Sequence, residues 1–423
     1  SDVYMRQALQ RGLRAIDERQ GYLGPFRRTK RRGAPKATKP SDSLRMGRTY
    51  IARVMGSDDE SESIRIDVAG HRAVLQMRDA ARYNPDGRPA SAFAKKNDLL
   101  PVSITQIGGE EDPAVARMER GPEGAVVVIE PRSRHVLALV GSFAAVSGFN
   151  RATQAIRQPG STFKPIVYAR AIQSRRFTAA SLVVGAPAVY EEWKPRNYEQ
   201  WNYQGAVRLR QALARSINMV AIRVVEDIGV HDVAEFARQD GITTKLEEDM
   251  ALALGASGVK PIELATAYAT FAAGGRWAPT RIVSKIVAPD GARVELQPGE
   301  PARDVMTPSE AYVMTSMLRS VVTEGTGSPA QRLERAVVGK TGTSNEARDA
   351  WFVGYSPSVV AGVWVGFDDS RSLGKRETGT RTALPIWIDV MDAADKTPKE
   401  TDFAMPSGVT RALIDPASGL LAY

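Results

Sequence analysis

Apolar and polar positions follow different rhythms along this chain, and each change of rhythm marks a predicted element. Between residues 2 and 20, Val3, Met5, Leu9, Leu13 and Ile16 recur at roughly helical spacing with arginine and glutamine between them. That stretch predicts a helix, too polar and too short to span a bilayer. From Thr49 to about Ile104 the period shortens to two in runs such as Tyr50-Ile-Ala-Arg-Val54, Ile64-Arg-Ile-Asp-Val68 and Ala73-Val-Leu-Gln-Met77. Gly70 and Asn84-Pro-Asp-Gly87 punctuate these runs, so a small β-barrel or sheet is predicted.

Further along, Ala125-Val-Val-Val-Ile129 and Val136-Leu-Ala-Leu-Val140 flank Pro131-Arg-Ser-Arg134 and predict a hairpin. A second hairpin is predicted over 282–296, around Pro289-Asp-Gly291, and a strand over 359–365 following one that ends near Lys340. Helical periodicity over 164–174, 206–228, 261–273 and 308–322 alternates with these strands in clusters. The expected class is α+β, an antiparallel sheet covered by helices and preceded by a small β-rich domain. The corresponding domains are a helix with a basic linker over 1–45, the small β domain over 46–115, the main domain over 116–400 and an extension over 401–423.

Length and composition narrow the chemistry. With 423 residues the chain can form two or three domains with a full-sized core. It has no cysteine, so neither disulfides nor thiolate metal sites hold it together. Its three histidines, His71, His135 and His231, lie far in sequence from the motifs below, which argues against a Ser-His-Asp triad or a histidine metal site. No metal or cofactor is expected. Much of the net charge of +9 comes from Arg27-Arg-Thr-Lys-Arg-Arg32 with Lys36 and Lys39, broken by Gly33, Pro35 and Pro40. Such a run reads as a solvated linker that can rest on anionic lipid or polymer; without interleaved aromatics it does not point to nucleic acid.

Three motifs carry the candidate chemistry. They are Ser161-Thr-Phe-Lys164, Ser216-Ile-Asn218 and Lys340-Thr-Gly-Thr343. Ser-x-x-Lys recurs at Ser257 and Ser372, but only Ser161 follows a Pro159-Gly160 turn and opens a long apolar-periodic helix. There, free backbone N–H groups and the helix dipole favour an alkoxide. Lys164, one helical turn on, falls within reach of the Ser161 hydroxyl. A lysine serves as a base only when partly neutral, which burial and a neighbouring cation promote, and Lys340 is the candidate neighbour. Thr341 and Thr343 share a strand face beside Lys340 and suit a carboxylate, while Gly342 is expected to leave room for an extended substrate. Ser216 and Asn218, on a loop, offer a proton relay and an amide to orient a peptide bond.

These motifs, together with Arg157-Gln-Pro-Gly-Ser-Thr-Phe-Lys-Pro165, Pro195-Arg-Asn-Tyr198, Leu209 to Asn218, Ala251-Leu-Ala-Leu-Gly255, Ala265 to Gly275 and Asp349-Ala-Trp-Phe-Val-Gly354, resemble the transpeptidase domain of class A penicillin-binding proteins. The resemblance covers roughly residues 120 to 400. It implies the penicillin-binding transpeptidase/β-lactamase-like fold, with an OB-like module in front. It also implies that Ser161 attacks the penultimate D-alanine of a peptidoglycan stem peptide and forms an acyl-enzyme, with Lys164 as base. Ser216 would pass a proton to the leaving amine, and Asn218 would bind the donor amide. Lys340, Thr341 and Thr343 would hold the terminal carboxylate, Gly342 would lie against the bound substrate, and the Ser161 and Thr343 backbone N–H groups would form the oxyanion hole.

β-Lactams would acylate Ser161, and cell-wall synthesis regulators are further partners the family suggests. The native protein would sit at the outer face of the cytoplasmic membrane, or in the periplasm, through an anchor missing here. The chain reads as an excised piece without the glycosyltransferase half, with Ser1 a remnant of its preparation. The small β domain reads as a spacer or protein-docking domain. The alternatives are a β-lactam-hydrolysing enzyme, weakened by Ile217 and by the lack of a Glu-x-x-x-Asn element after Ser216, and a non-enzymatic β-lactam sensor or scaffold.

Overall fold

The computed structural model describes residues 2–20, 36–46, 48–109, 112–118, 121–144, 148–186, 205–296 and 299–422. The basic run over 27–32 and the Pro195–Tyr198 segment lie outside the described residues; Lys36 and Lys39 are exposed. Two compact units result, Arg14–Gly121 and Ser1–Leu13 with Pro122–Tyr423.

In the smaller unit, strands Thr49–Asp58, Ser63–Val68, His71–Gln76, Leu99–Gln106 and Ala114–Met118 close into a barrel. Their order around it is first, second, third, fifth, fourth, with only the third–fifth pair parallel. The period-two pattern explains the closure. Tyr50, Ala52, Val54, Ile64, Ile66, Val68, Ala73, Leu75, Leu100, Val102 and Ile104 all turn inward and are buried. The fifth strand ends at Met118, three residues beyond the expected boundary at 115, because its pairing with the third and fourth strands is what closes the barrel.

The larger unit is built on a five-stranded antiparallel sheet, and the predicted α+β class holds. Its strands are Glu123–Ile129, Val136–Val140, Val338–Thr343, Asp349–Tyr355 and Val360–Gly366. Across the sheet, Val338–Thr343 lies at one edge, followed by Asp349–Tyr355, Val360–Gly366, Glu123–Ile129 and Val136–Val140. Asp349–Tyr355 thus separates the Lys340 strand from the strand predicted to follow it directly. All seven of its residues are buried because helices cover both faces. Gly362 meets Ala265 of helix Pro261–Ala272 on one face. On the other, Phe352 packs against Trp387 of helix Gly379–Ala394, with ring centroids 4.7 Å apart.

Two further expectations change. The helical stretch over 206–228 is a short strand, Ala206–Arg208, followed by helices Leu209–Ala214 and Asn218–Ile228. The break falls at Ser216, whose φ of +59° no helix accommodates. Consequently Asn218 opens a helix and is not a loop residue. The hairpin over 282–296 pairs only Ile286–Val287 with Arg293–Val294.

Candidate active site

The segment carrying Ser161 is fixed by its backbone surroundings before any side-chain chemistry enters. Gly160–Phe163 forms a 3₁₀ turn that runs into the helix Lys164–Gln173. Gly160 has φ +53° and donates its N–H to the Gly255 carbonyl at 3.2 Å. Gly255 has φ +68°, and a Cβ there would fall 2.3 Å from the Gly160 oxygen, while a Cβ on Gly160 would fall 2.7 Å from Thr343 O, so each glycine lets the turn approach a different neighbour. Around the turn, Trp351 Nε1 donates to Gln158 O at 2.8 Å and the Tyr268 hydroxyl to Thr162 O at 2.8 Å. Ser161 is therefore presented, half-buried, on a turn tied to two other elements.

Against this turn lies the free edge of the Lys340 strand. Alternation sends Lys340 and Gly342 to one face and Thr341 and Thr343 to the other. A Cβ on Gly342 would lie 2.4 Å from Pro159 O and 2.9 Å from Thr162 Cγ2. The expectation that Gly342 leaves room for a substrate is thus corrected: the space it leaves is filled by the Ser161 turn. Past the strand's end, Ser344 Oγ donates to Asp349 Oδ2 at 3.0 Å and Trp364 Nε1 to Asp349 Oδ1 at 2.9 Å, which closes the turn after Thr343.

Lys164, Ser216, Asn218 and Lys340 meet beside it. Lys164 Nζ donates to Ser216 O at 2.7 Å and Asn218 Oδ1 at 2.7 Å, and lies 3.4 Å from Ser216 Oγ. Lys340 Nζ donates to Ser216 Oγ at 2.9 Å and to Thr341 O at 3.1 Å. The left-handed backbone of Ser216 is what turns both its carbonyl and its hydroxyl toward the lysines. Among the described residues no hydrogen bond joins Lys164 Nζ to Ser161 Oγ; the amine is held instead by the Ser216 turn and Asn218.

Both lysines are fully buried. Burial, then the Lys340 charge, holds Lys164 well below the ordinary lysine value of 10.5. Burial brings Lys340 down to about 7. A neutral Lys164 has two N–H groups, matched by its two contacts at 2.7 Å, and one lone pair left for a proton.

Three residues that sequence reasoning passed over adjoin the threonines. Thr326 Oγ1 lies 2.7 Å from Thr341 Oγ1, Gly379 N donates to Thr343 Oγ1 at 3.0 Å, and Thr380 Oγ1 donates to Thr326 O at 3.0 Å. The signal available for Thr326 was its place between Gly325 and Gly327, which reads as an ordinary turn. The other Ser-x-x-Lys serines do turn work. Ser257 Oγ accepts from Glu247 N at 2.9 Å, and Ser372 Oγ donates to Glu346 O at 2.5 Å. Among the described residues no cluster of three or more His, Cys, Asp or Glu side chains is set to hold a metal ion, and no helix is long and apolar enough to cross a membrane.

A helix-covered antiparallel sheet with a serine turn packed on its lysine-bearing edge is the architecture of the penicillin-binding transpeptidase fold. The family described as "Penicillin binding protein transpeptidase domain" matches residues 124–368, and the chain belongs to it. It is 35% identical over 385 residues to penicillin-binding protein 1A of Aquifex aeolicus, covering 90% of this chain and 50% of that protein. To penicillin-binding protein 1A of Neisseria meningitidis it is 40% identical over 431 residues, covering 95% of this chain and 52% of that one. The chain thus spans about half the length of the curated relatives it matches.

Among solved structures, penicillin-binding protein 1A from Haemophilus influenzae superposes with a TM-score of 0.74 at 26% identity, covering 100% of this chain and 69% of that one. PonA1 from Mycobacterium tuberculosis in complex with penicillin V superposes with a TM-score of 0.58 at 27% identity, covering 66% and 80%. The resemblance read from the motifs to class A penicillin-binding proteins therefore holds.

Proposed function

We propose that this chain carries the D,D-transpeptidase activity of a class A penicillin-binding protein, cross-linking peptidoglycan stem peptides through an acyl-enzyme at Ser161. The observation that supports this most is the pair of buried lysines sharing Ser216 Oγ, at 3.4 Å from Lys164 and 2.9 Å from Lys340. Neutral Lys164 takes the Ser161 proton as Oγ attacks the carbonyl of the penultimate D-alanine. The Ser161 and Thr343 backbone N–H groups receive the oxyanion, a contribution of roughly 3 kcal/mol per donor in comparable sites. As the intermediate collapses, the C–N bond breaks and Ser216 passes the proton from Lys164 to the departing D-alanine amine. A second stem peptide's amine then attacks the ester, loses a proton to the same relay and frees Ser161.

Lys340, Thr341 and Thr343 hold the terminal carboxylate, and Asn218 orients the donor amide. A β-lactam follows the same path to a stable ester. On this reading the protein works outside the cytoplasm, at the membrane surface, and the small barrel is an OB-type spacer or docking domain.

Intact-mass analysis after exposure to a penicillin tests the proposal. One adduct is expected, mapped to the Ser161 peptide, absent from Ser161→Ala and persisting for many minutes, with D-alanine released from a stem-peptide analogue. An adduct on another residue overturns the nucleophile; fast turnover of the drug makes the protein a hydrolase, and an adduct without D-alanine release makes it a sensor.

A further inference from the structure

Thr326 belongs to none of the three motifs, yet it joins the segments that carry two of them, the one before Ser216 and the Lys340 strand. Its backbone N–H donates to Ala214 O at 3.2 Å, two residues before Ser216. Its carbonyl accepts from Thr380 Oγ1 at 3.0 Å, next to Gly379, whose N–H donates to Thr343 Oγ1 at 3.0 Å. Its hydroxyl lies 2.7 Å from that of Thr341. The segment has little freedom to move: a Cβ on Gly325 would fall 2.2 Å from Ala214 O, and Gly327 N donates to Val321 O at 2.9 Å.

We infer that Thr326 is a positioning residue for the Thr341 hydroxyl, and through it a determinant of preference for ligands that carry a carboxylate. This rests on the function proposed above. A carboxylate only accepts hydrogen bonds, so Thr341, with a single O–H, binds one only by pointing that proton at it. The contact between the two hydroxyls is then one in which Thr326 donates. Thr341 is buried to 6% exposure, and its remaining contact, from Lys340 Nζ, is long at 3.4 Å. Without the Thr326 hydroxyl, the Thr341 oxygen loses its short donor and its side chain loses the partner that selects its rotamer. The penalty falls on ligands that use the Thr341 proton and spares those that do not.

The test compares second-order acylation rate constants for benzylpenicillin and its methyl ester on the wild-type chain, Thr326→Val, Thr326→Ala and Thr326→Ser, with Ser161 adducts verified by mass. For Val and Ala the free acid is expected to slow by about tenfold or more and the ester by less than about twofold; Ser restores the wild-type ratio. Equal slowing of acid and ester, or no slowing of either, overturns the inference while leaving the function intact. A wild-type chain that neither drug acylates overturns the function, and this inference with it.

Discussion

Two lysine amines buried beside the same serine hydroxyl set, at the scale of single residues, the protonation states that catalysis needs. Burial and the Lys340 charge favour neutral Lys164, while Lys340, at about 7, still carries charge in a large fraction of molecules at neutral pH. Acylation needs Lys164 unprotonated and Lys340 protonated. The rate constant for a penicillin therefore rises as pH lifts the proton from Lys164 and falls as pH passes through the Lys340 value, far below the ordinary 10.5. Lys340→Arg keeps its charge throughout this range, so its falling limb is expected to vanish from a stopped-flow pH profile even though the absolute rate drops. A falling limb unchanged in that variant assigns it to another group. The motif spacing alone made this lysine pair legible, because depression of one amine by the other follows from placing them together. The Lys164 contacts were not legible: a helical spacing of three residues sets Cβ positions, but the long side chain turns toward Ser216 and Asn218, which only the tertiary fold supplies.

At the scale of elements, the site is a seam between a turn and a sheet edge, and glycine is what lets the seam close. Gly342 allows Pro159 and Thr162 to pack on the Lys340 strand. In Gly342→Ala, a Cβ 2.4 Å from Pro159 O has no flexible side chain to displace and must push the backbones apart. The expected cost is about 1–3 kcal/mol of stability. A shift near an ångström between Ser161 and the strand also slows acylation by about a hundredfold. Gly109→Ala, where a Cβ meets nothing within 4 Å, is expected to leave both within error in paired denaturation and labelling assays. Equal behaviour of the two variants removes the seam from the mechanism. The sequence announced the glycine but not its neighbour, since period-two reasoning gives the face a residue occupies and not what packs there. Similarly, 206–228 keeps an apolar rhythm across the Ser216 turn, and the left-handed serine that breaks it carries no compositional mark. The strand Asp349–Tyr355 is apolar because both its faces are covered, so it lacks the alternation that identified the barrel strands.

At the scale of the whole molecule, each of the two units has a hydrophobic core of its own among the described residues, which gives acylation a readout in the unit that holds Ser161. The barrel core gathers residues from Leu44 to Met118, and the core behind Ser161 gathers residues from Ala125 to Trp364. Residues 14–121 hold no tryptophan, whereas Trp277, Trp351, Trp364 and Trp387 are buried in the larger unit. Tryptophan emission thus follows the unfolding of the unit that contains Ser161. An ester at Ser161 adds contacts made only in the folded site, and each kcal/mol so gained raises the midpoint by roughly 1–2 °C for a unit of more than about 300 residues. Penicillin is therefore expected to raise the tryptophan-detected midpoint by at least about 2 °C in the wild-type chain and to leave Ser161→Ala where it was. Trp351, whose indole N–H holds Gln158 O at 2.8 Å just before the serine turn, makes the emission sensitive to this place in particular. A shift of equal size in Ser161→Ala shows that the drug stabilises the unit without the ester, and the coupling between nucleophile and core argued here fails.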